Sequence, residues 1–337
     1  MENVFDPISR DDRQAISLQS WIKTKGKGTI VACTGFGKTR VATNLIQKIT
    51  KKKETIRILI VVPTDLLKEQ WTGILTSLNV IFNCEIQVIN TVVKHEWDCD
   101  LLIIDEIHRM AGEVFSKIFE KVKYKMILGL TATFERLDGK HELIAKYCPV
   151  CDEVNIAEAI VNNWVSQFTE YEVLIEVDLS KYKEYNRIFT EHFAFFNYNW
   201  SLVQSMLGKN GYKNKIKYRD EIYTGNDPVK KAQVLKTINY HAIGFFQAVQ
   251  NRKKFINSHP KKLEIARKII NARSDKKIIT FSKTVKMAEE LWKTAPNKDI
   301  EFVYSGKDSK KKSRITIEEF SKLDKGVLCT CERANEG

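Results

Sequence analysis

The chain has 337 residues, which is enough for two domains of ordinary size. Hydrophobic residues make up 43% of the sequence and aromatic residues 10%, and this composition excludes a disordered polyelectrolyte. Lys and Arg number 55 against 42 Asp and Glu, and the resulting net charge of +13 favours nucleic acid as a partner, although a lysine-rich proteome would give the same surplus.

Membrane and secretion signals are not visible in the sequence. The longest apolar runs fall far short of the roughly 18 residues that would cross a bilayer, and the acidic start MENVFD is unlike a secretory signal. Seven cysteines argue against a disulfide framework in a chain of this size. We therefore expect an intracellular protein without membrane contact, cytoplasmic or nucleoid-associated, or one encoded by a phage and made in its host cell. The sequence leaves the oligomeric state open.

The first half alternates short β-branched runs with stretches whose apolar residues have helical spacing. The runs lie at residues 29–31, 58–62, 86–89, 101–104 and 126–130. Near-continuous apolar strands separated by helices predict an α/β domain, at residues 1–155, whose parallel sheet is covered on both faces. Ligands of such sheets bind at the carboxyl ends of the strands.

The pattern changes in the second half. Residues 182–259 have a helical pattern and are rich in aromatic and basic residues. This predicts a helical insertion or linker at 156–260. Within it, GKNGYKNKIKYR at 208–219 is expected to be an exposed basic loop that contacts nucleic acid, and the aromatic residues between 193 and 200 are expected to pack between helices. Runs at 277–281, 302–305 and 326–330, with a helix at 285–294, predict a second α/β domain from residue 261 that is incomplete at Gly337.

The segment TIVACTGFGKT places a strand and a glycine-bearing loop directly before a helical run. Glycines let backbone amides turn towards a phosphate, and the helix N-terminus adds a favourable dipole. Lys38 is expected to hold the β- and γ-phosphates of ATP, and the Thr39 hydroxyl to hold Mg²⁺. The predicted nucleotide contacts are Thr34, Gly35, Phe36, Gly37, Lys38 and Thr39. The alternative is a glycine turn that arose by chance.

The segment LLIIDEIH ends a predicted strand with two acids and a histidine. Asp105 is placed to hold Mg²⁺ through water, and Glu106 to polarise the water that attacks the phosphate. A solvated acidic turn is the alternative, but four apolar residues deliver these acids to the ligand edge of the sheet. His108 could couple the nucleotide to another domain or could cap a helix. Together with the phosphate loop, these residues predict an ATP hydrolase.

In this order, the segments resemble those of the superfamily 2 helicases of the DEAD/DEAH type, and within them the XPB-like and phage branch-migration DNA helicases. The likeness extends over almost the whole chain. Gln14 precedes the phosphate loop at about the distance of the family's adenine-reading glutamine. VVPTDLLKEQW resembles the motif in which Pro63 and Thr64 approach the nucleic-acid backbone, and Thr91 in VINTVV resembles the next strand-binding position.

Three further segments carry the resemblance. GLTATFERLDG resembles the segment that links hydrolysis to strand movement, through Thr131 and Thr133. IITFSKT resembles the first motif of a second motor domain, and the resemblance implies that its Ser282 contacts nucleic acid. VLCTCERANEG resembles the motif whose Thr330 touches a phosphate and whose last residue, Gly337, lines the nucleotide cleft. The resemblance implies two RecA-like parallel-sheet domains, the second incomplete, with a helical insertion between them.

The resemblance also implies a function. We expect an ATP-dependent DNA helicase or translocase that couples ATP hydrolysis to movement on, or remodelling of, duplex or branched DNA. The motif residues contact the sugar-phosphate backbone, which DNA and RNA share, so an RNA helicase is a second hypothesis. The motor subunit of a restriction system is a third hypothesis, and a nucleic-acid-binding component without a working motor is a fourth.

Two features near the ends of these motifs add expectations. An arginine-rich motif follows in the family and contributes roughly 10³ to 10⁵ in rate, so we expect the native protein to continue past Gly337. The cysteine pairs Cys148/Cys151 and Cys329/Cys331 could supply four sulfurs to zinc. However, Cys329 and Cys331 would lie on one face of a strand, which core packing explains equally well.

Overall fold

The computed structural model describes residues 7–112, 114–135, 139–208, 210–294 and 310–331. The chain divides into two compact units, Met1–Tyr171 and Glu172–Gly337. The predicted strand at 302–305 and the predicted nucleotide contact Gly337 lie outside the described residues. The predicted domain boundaries at 155 and 260 stay predictions.

The first unit contains a parallel sheet, which confirms the predicted fold class. Its described strands follow the order β3-β2-β4-β5-β1-β6, and all five neighbouring pairs run parallel. Four of the five predicted runs differ from the observed strands by a few residues, and the fifth is reproduced without change. The strands are β1 (Lys27–Ala32), β2 (Ile58–Val62), β3 (Cys84–Val88), β4 (Trp97–Asp105), β5 (Val122–Thr131) and β6 (Val150–Val154).

Helices cover both faces of this sheet. Along β2 the side chains alternate between two cores: Ile58, Ile60 and Val62 pack on one face, and Leu59 and Val61 pack on the other. This alternation explains why every residue of β2 is apolar and buried. The helices of this unit are α1 (Arg10–Lys23), α2 (Lys38–Lys52), α3 (Asp65–Ser77), α4 (Ile89–Val92), α5 (Ile118–Lys121), α6 (His141–Tyr147) and α7 (Ile156–Val161).

The second unit begins with a group of helices, as the composition predicts. They are α8 (Ser180–Ala194), α9 (Trp200–Leu207), α10 (Gly211–Ile222), α11 (Pro228–Asn257) and α12 (Pro260–Ala272). The expected basic loop at 208–219 is wrong, because most of it forms α10. Gly211 and Tyr218, seven residues apart, are both buried on one face of this helix, while Lys213 and Lys217 are exposed. That spacing holds the segment as a helix despite its charge.

The aromatic residues between 193 and 200 divide into two groups. Phe196 is fully buried in the core of the helical region, and Phe193 and Phe195 pack against that core. Tyr198 and Trp200 are 59% and 47% exposed. Helix packing is therefore confirmed for the three phenylalanines, and the partly exposed rings of Tyr198 and Trp200 make edge contacts with Phe193.

The last part of the second unit returns to alternating strands and helices. Two described strands, β7 (Lys277–Ser282) and β8 (Gly326–Cys331), pair in parallel. Helices α13 (Val285–Lys293) and α14 (Lys310–Lys322) lie between them in the chain. Cys329 and Cys331 are buried in β8, where they pack with residues of α12 and α13.

Neither a membrane-spanning helix nor a metal-ligating cluster is found in the described part of the chain. No helix there combines the length and the apolarity needed to cross a bilayer. No group of three or more His, Cys, Asp or Glu side chains in those ranges could hold a metal ion. Cys148 is fully buried in the first unit, and the Cys151 thiol donates to the Thr29 carbonyl at 3.3 Å.

Candidate active site

Three predicted motifs follow three neighbouring strands of the first sheet. The phosphate loop follows β1, the acids end β4, and Thr131 ends β5, which lies between the other two strands. The strands are also in register at this level, since Val31 pairs with Thr131 and Leu130 pairs with Asp105. The topology therefore brings the three motifs to one edge of the sheet.

The phosphate loop has the backbone shape that its glycines predict. Gly35 and Gly37 have φ values of +88° and +95°, in the left-handed region that favours glycine. Helix α2 begins at Lys38, immediately after Gly37, so the amides of its first turn face the loop. The Lys38 ammonium donates to the Ala32 carbonyl at 3.0 Å. Thr39 is half-buried in the same turn.

Gln14 contacts this loop from helix α1. Its amide nitrogen donates to the Phe36 carbonyl at 2.8 Å, and the side chain is fully buried. The amide oxygen, by contrast, is buried without a hydrogen-bond partner in the structure. An unsatisfied buried acceptor costs about 1–3 kcal/mol. A ligand that brings an N–H donor to this point, as adenine does, would remove that cost.

The packing of Trp164 and Val165 against the phosphate loop was not predicted from the sequence. The Trp164 ring is 5.6 Å from that of Phe36, and its indole N–H donates to the Ile8 carbonyl at 3.1 Å. Val165 lies over Gly35, where an added Cβ would meet its side chain at 2.8 Å. These contacts leave no room for a larger residue at position 35. The only sequence signal is a tryptophan that follows α7.

The Asp105 carboxylate is held from two sides. It is 6% exposed, and its two oxygens accept from the Glu106 amide at 3.1 Å and from the Trp71 indole at 3.0 Å. Burial raises the pKa of Asp105, and this effect is opposed by the Trp71 hydrogen bond and by the positive charge of Lys38.

Glu106 departs from the extended backbone of β4, which ends at Asp105. Its φ of +52° is in the left-handed region, where a residue with a side chain is strained. A hydrogen bond with His108, at 3.3 Å, is the main cause that lowers the pKa of Glu106, and the charge of Lys38 lowers it further. The carboxylate is therefore ionised at neutral pH.

His108 connects the acids to the end of β5. Its Nδ1 is 2.9 Å from the Thr131 hydroxyl, which itself donates to the Thr133 carbonyl at 2.7 Å. Because the Thr131 hydroxyl donates its proton to the Thr133 carbonyl, it must accept a hydrogen bond from His108. Nδ1 of His108 therefore carries the imidazole proton. The same N–H faces the Glu106 carboxylate. Glu106, His108, Thr131 and Thr133 thus form one chain of hydrogen bonds.

The predicted nucleic-acid contacts of the first unit follow β2 and β3, which are neighbours at the far side of the sheet. Pro63 is buried. Thr64 is half-buried and caps α3, since its hydroxyl accepts from the Leu67 amide at 3.3 Å. Thr91 is exposed in α4.

Two predicted contacts lie in the second unit, at the carboxyl ends of β7 and β8. Ser282 is 3% exposed and pairs in register with Cys331. The half-buried Thr330 donates its hydroxyl proton to the Thr280 carbonyl at 2.8 Å. A phosphate at Thr330 would have to compete with that carbonyl for the proton. Their role in nucleic-acid binding stays a prediction.

Parts of this sequence are similar to known proteins. The family described as "Type III restriction enzyme, res subunit" matches residues 8–96 and 81–136. The DNA 3'-5' translocase XPB2 of Sulfurisphaera tokodaii is 26% identical over 321 residues, which cover 87% of this chain and 66% of that protein. The chain is thus similar to superfamily 2 helicases of the XPB-like kind. The predicted resemblance is thereby confirmed.

A viral relative matches a shorter part of the chain. "Putative ATP-dependent RNA helicase L396" of Acanthamoeba polyphaga mimivirus is 29% identical over 142 residues, or 36% of this chain and 26% of that protein. The chain thus spans less than two thirds of the length of both relatives. Among solved structures, the Pyrococcus furiosus Hef helicase domain aligns with 97% of this chain and 88% of its own, with a TM-score of 0.45 and 17% identity.

Proposed function

We propose that this helicase chain hydrolyses ATP with Mg²⁺ and uses the energy to move on, or remodel, duplex or branched DNA. The observation that carries the proposal is the placement of the phosphate loop, the two acids and Thr131 at the in-register ends of three adjacent strands. The relative named as a DNA translocase, which aligns with 87% of the chain, supports DNA as the substrate.

The residues present fit ATP. The buried Gln14 oxygen lacks a donor, and the adenine amino group would supply one. The left-handed Gly35 and Gly37 leave backbone amides free to face phosphates, beside the first turn of α2. Lys38 would exchange its bond to the Ala32 carbonyl for the β- and γ-phosphates.

The residues also fit Mg²⁺, which prefers oxygen ligands. Thr39 offers a hydroxyl, and each Asp105 oxygen keeps a lone pair beyond the one hydrogen bond that it accepts. When bound, the ion neutralises charge on the phosphate oxygens. Glu106, ionised and aimed by His108, would orient the water that attacks the γ-phosphate.

The hydrogen-bond chain offers a route from hydrolysis to movement. Glu106 faces the reacting water in this proposal, and its partner His108 also donates to Thr131. A change in hydrogen bonding at Glu106 would therefore alter the turn at Thr131 and Thr133. We infer that this turn transmits the state of the nucleotide to the nucleic-acid contacts.

The test is a pair of variants in the protein at its native length. Lys38→Ala and Glu106→Gln should each abolish nucleic-acid-stimulated ATP hydrolysis, because they remove a phosphate contact and the group that orients water. Lys48→Ala, at a lysine further along the same helix α2, is the matched control and should keep full turnover. Normal hydrolysis in both Lys38→Ala and Glu106→Gln would refute the assignment.

RNA is the second candidate substrate, because the mimivirus relative is named as an RNA helicase. Backbone contacts alone do not distinguish the two nucleic acids. ATP hydrolysis should be measured with duplex DNA, single-stranded DNA, branched DNA and RNA at the same ionic strength. We expect duplex or branched DNA to stimulate most, and a stronger response to RNA would reverse the substrate assignment.

A further inference from the structure

Trp71 is a buried residue that has no role in the mechanism proposed for ATP hydrolysis. It lies in the middle of α3 and is 1% exposed, and its indole N–H donates to the Asp105 carboxylate at 3.0 Å. We propose that Trp71 is a positioning residue for the metal site, because its N–H fixes the carboxylate through which Mg²⁺ is held. This role rests on the proposed function of Asp105.

The geometry around Asp105 explains how this works. Rotation of an aspartate carboxylate about its last bond is broad and weakly restrained by itself. Here one oxygen accepts from the Glu106 amide and the other from Trp71, so both ends of the carboxylate are fixed. Partners that orient a metal-holding side chain in this way contribute to metal affinity without touching the metal.

The simpler interpretation is that Asp105 merely satisfies a buried indole. Buried tryptophans do need a hydrogen-bond acceptor. Trp21, Trp97 and Trp164 find one in a backbone carbonyl, at 2.8, 3.1 and 3.1 Å. Trp71 instead uses a buried carboxylate, the costliest kind of group to bury beside a neutral core. A backbone carbonyl would satisfy the indole equally well, so the pairing is better explained by what it does for Asp105.

Helix α3 also ties this contact to the predicted nucleic-acid segment. Thr64 caps the helix, and Trp71 follows seven residues later, which is about two turns and the same face. A single rigid element therefore runs from Pro63 and Thr64 to the carboxylate at the metal site. The indole is the side chain through which that element reaches Asp105.

The test uses Trp71→Phe, which keeps most of the buried ring and removes the N–H. Binding of a fluorescent ADP analogue should be titrated with Mg²⁺, and binding of Mn²⁺ in the presence of ADP should be followed by electron paramagnetic resonance. We expect metal affinity to fall about tenfold, while ADP binding without metal is unchanged. Trp21→Phe is the matched control, since Trp21 is 2% exposed and its N–H meets only a backbone carbonyl.

A second measurement does not depend on the variants folding. In the ADP-bound wild type, addition of Mg²⁺ should shift the indole ¹H–¹⁵N resonance of Trp71 and leave that of Trp21 in place. Equal metal affinities in Trp71→Phe and Trp21→Phe, or an unmoved Trp71 resonance in a protein that binds Mg²⁺ with ADP, would overturn the role of Trp71 alone. Failure of the wild type to bind Mg²⁺ with ADP would instead overturn the proposed function.

Discussion

The carboxyl edge of the first sheet has two unlike halves. The loops after β1, β4 and β5 are held by hydrogen bonds from other elements: Gln14 of α1 bonds to the phosphate loop, and His108 bonds to the turn at Thr131. The loops after β2 and β3 make local contacts and stay more open, with Thr64 half-buried and Thr91 exposed. The half assigned to hydrolysis is thus held before its ligand arrives, and the half assigned to nucleic acid is accessible.

This difference has a physical reason. Hydrolysis requires groups fixed to within a fraction of an ångström, and buried hydrogen bonds between elements supply that precision. Contacts with a nucleic-acid backbone must be made and released at each step, and exposed hydroxyls suit such contacts. Trp71 is the described link between the two halves, because α3 begins in one and its indole contacts Asp105 in the other.

The largest effect is expected from a change at Thr131, in the half assigned to hydrolysis. Thr131→Val keeps the shape of a fully buried side chain and removes the hydroxyl between His108 and Thr133. We expect DNA movement per ATP hydrolysed to fall about tenfold, with basal hydrolysis nearly preserved. Strand displacement and phosphate release should be measured on the same sample.

Thr29→Val is the control for that experiment. Thr29 is also fully buried, and its hydroxyl donates to the Cys148 carbonyl at 2.7 Å, away from the acids. Thr29→Val should therefore lose about as much stability as Thr131→Val and keep the normal amount of DNA movement per ATP hydrolysed. If both variants retain full movement per ATP, the chain of hydrogen bonds does not carry the signal.

A smaller effect is expected at Gln14. Gln14→Ala removes the buried oxygen that fits the adenine amino group, and a neutral hydrogen bond of this kind is worth about 0.5–1.5 kcal/mol. The preference for ATP over GTP should fall about fivefold, as measured by the ratio of kcat/KM values. Gln19→Ala, on the exposed side of the same helix, should leave that ratio unchanged. An unaltered ratio in Gln14→Ala would mean that the base is read elsewhere.

Sequence patterns predicted the centre of the sheet well because strands β1, β2, β4 and β5 are largely buried. The run at 58–62 is apolar throughout and forms β2 without change. Strands β4 and β5 begin four residues before the predicted runs, at Trp97 and Val122, where charged side chains such as Asp98 and Lys123 interrupt the apolar pattern. Hydrogen bonding to the neighbouring strand continues there, although Asp98 and Lys123 are exposed.

The residues of the site were predictable where they form short motifs, but contacts between residues of different segments were not. The phosphate loop and the acids are short motifs with their own chemistry, so Lys38, Asp105 and Glu106 could be selected directly. Trp71 and Asp105 are 34 residues apart, and their contact depends on how α3 packs beside β4. A tryptophan in a helical pattern predicts burial but not its partner. The orphaned Gln14 oxygen likewise becomes visible only in three dimensions.

The smallest effect is expected from a change at Thr91, in the accessible half of the sheet edge. Thr91→Ala removes an exposed hydroxyl that we expect to contact a phosphate, so DNA affinity should fall about threefold. Because a hydroxyl carries no charge, the slope of affinity against salt concentration should stay the same, whereas loss of a lysine contact would reduce it. Fluorescence anisotropy at several salt concentrations measures both quantities. Thr76→Ala, an exposed threonine at the end of α3, is the control, and equal affinities in the two variants would remove Thr91 from the contact surface.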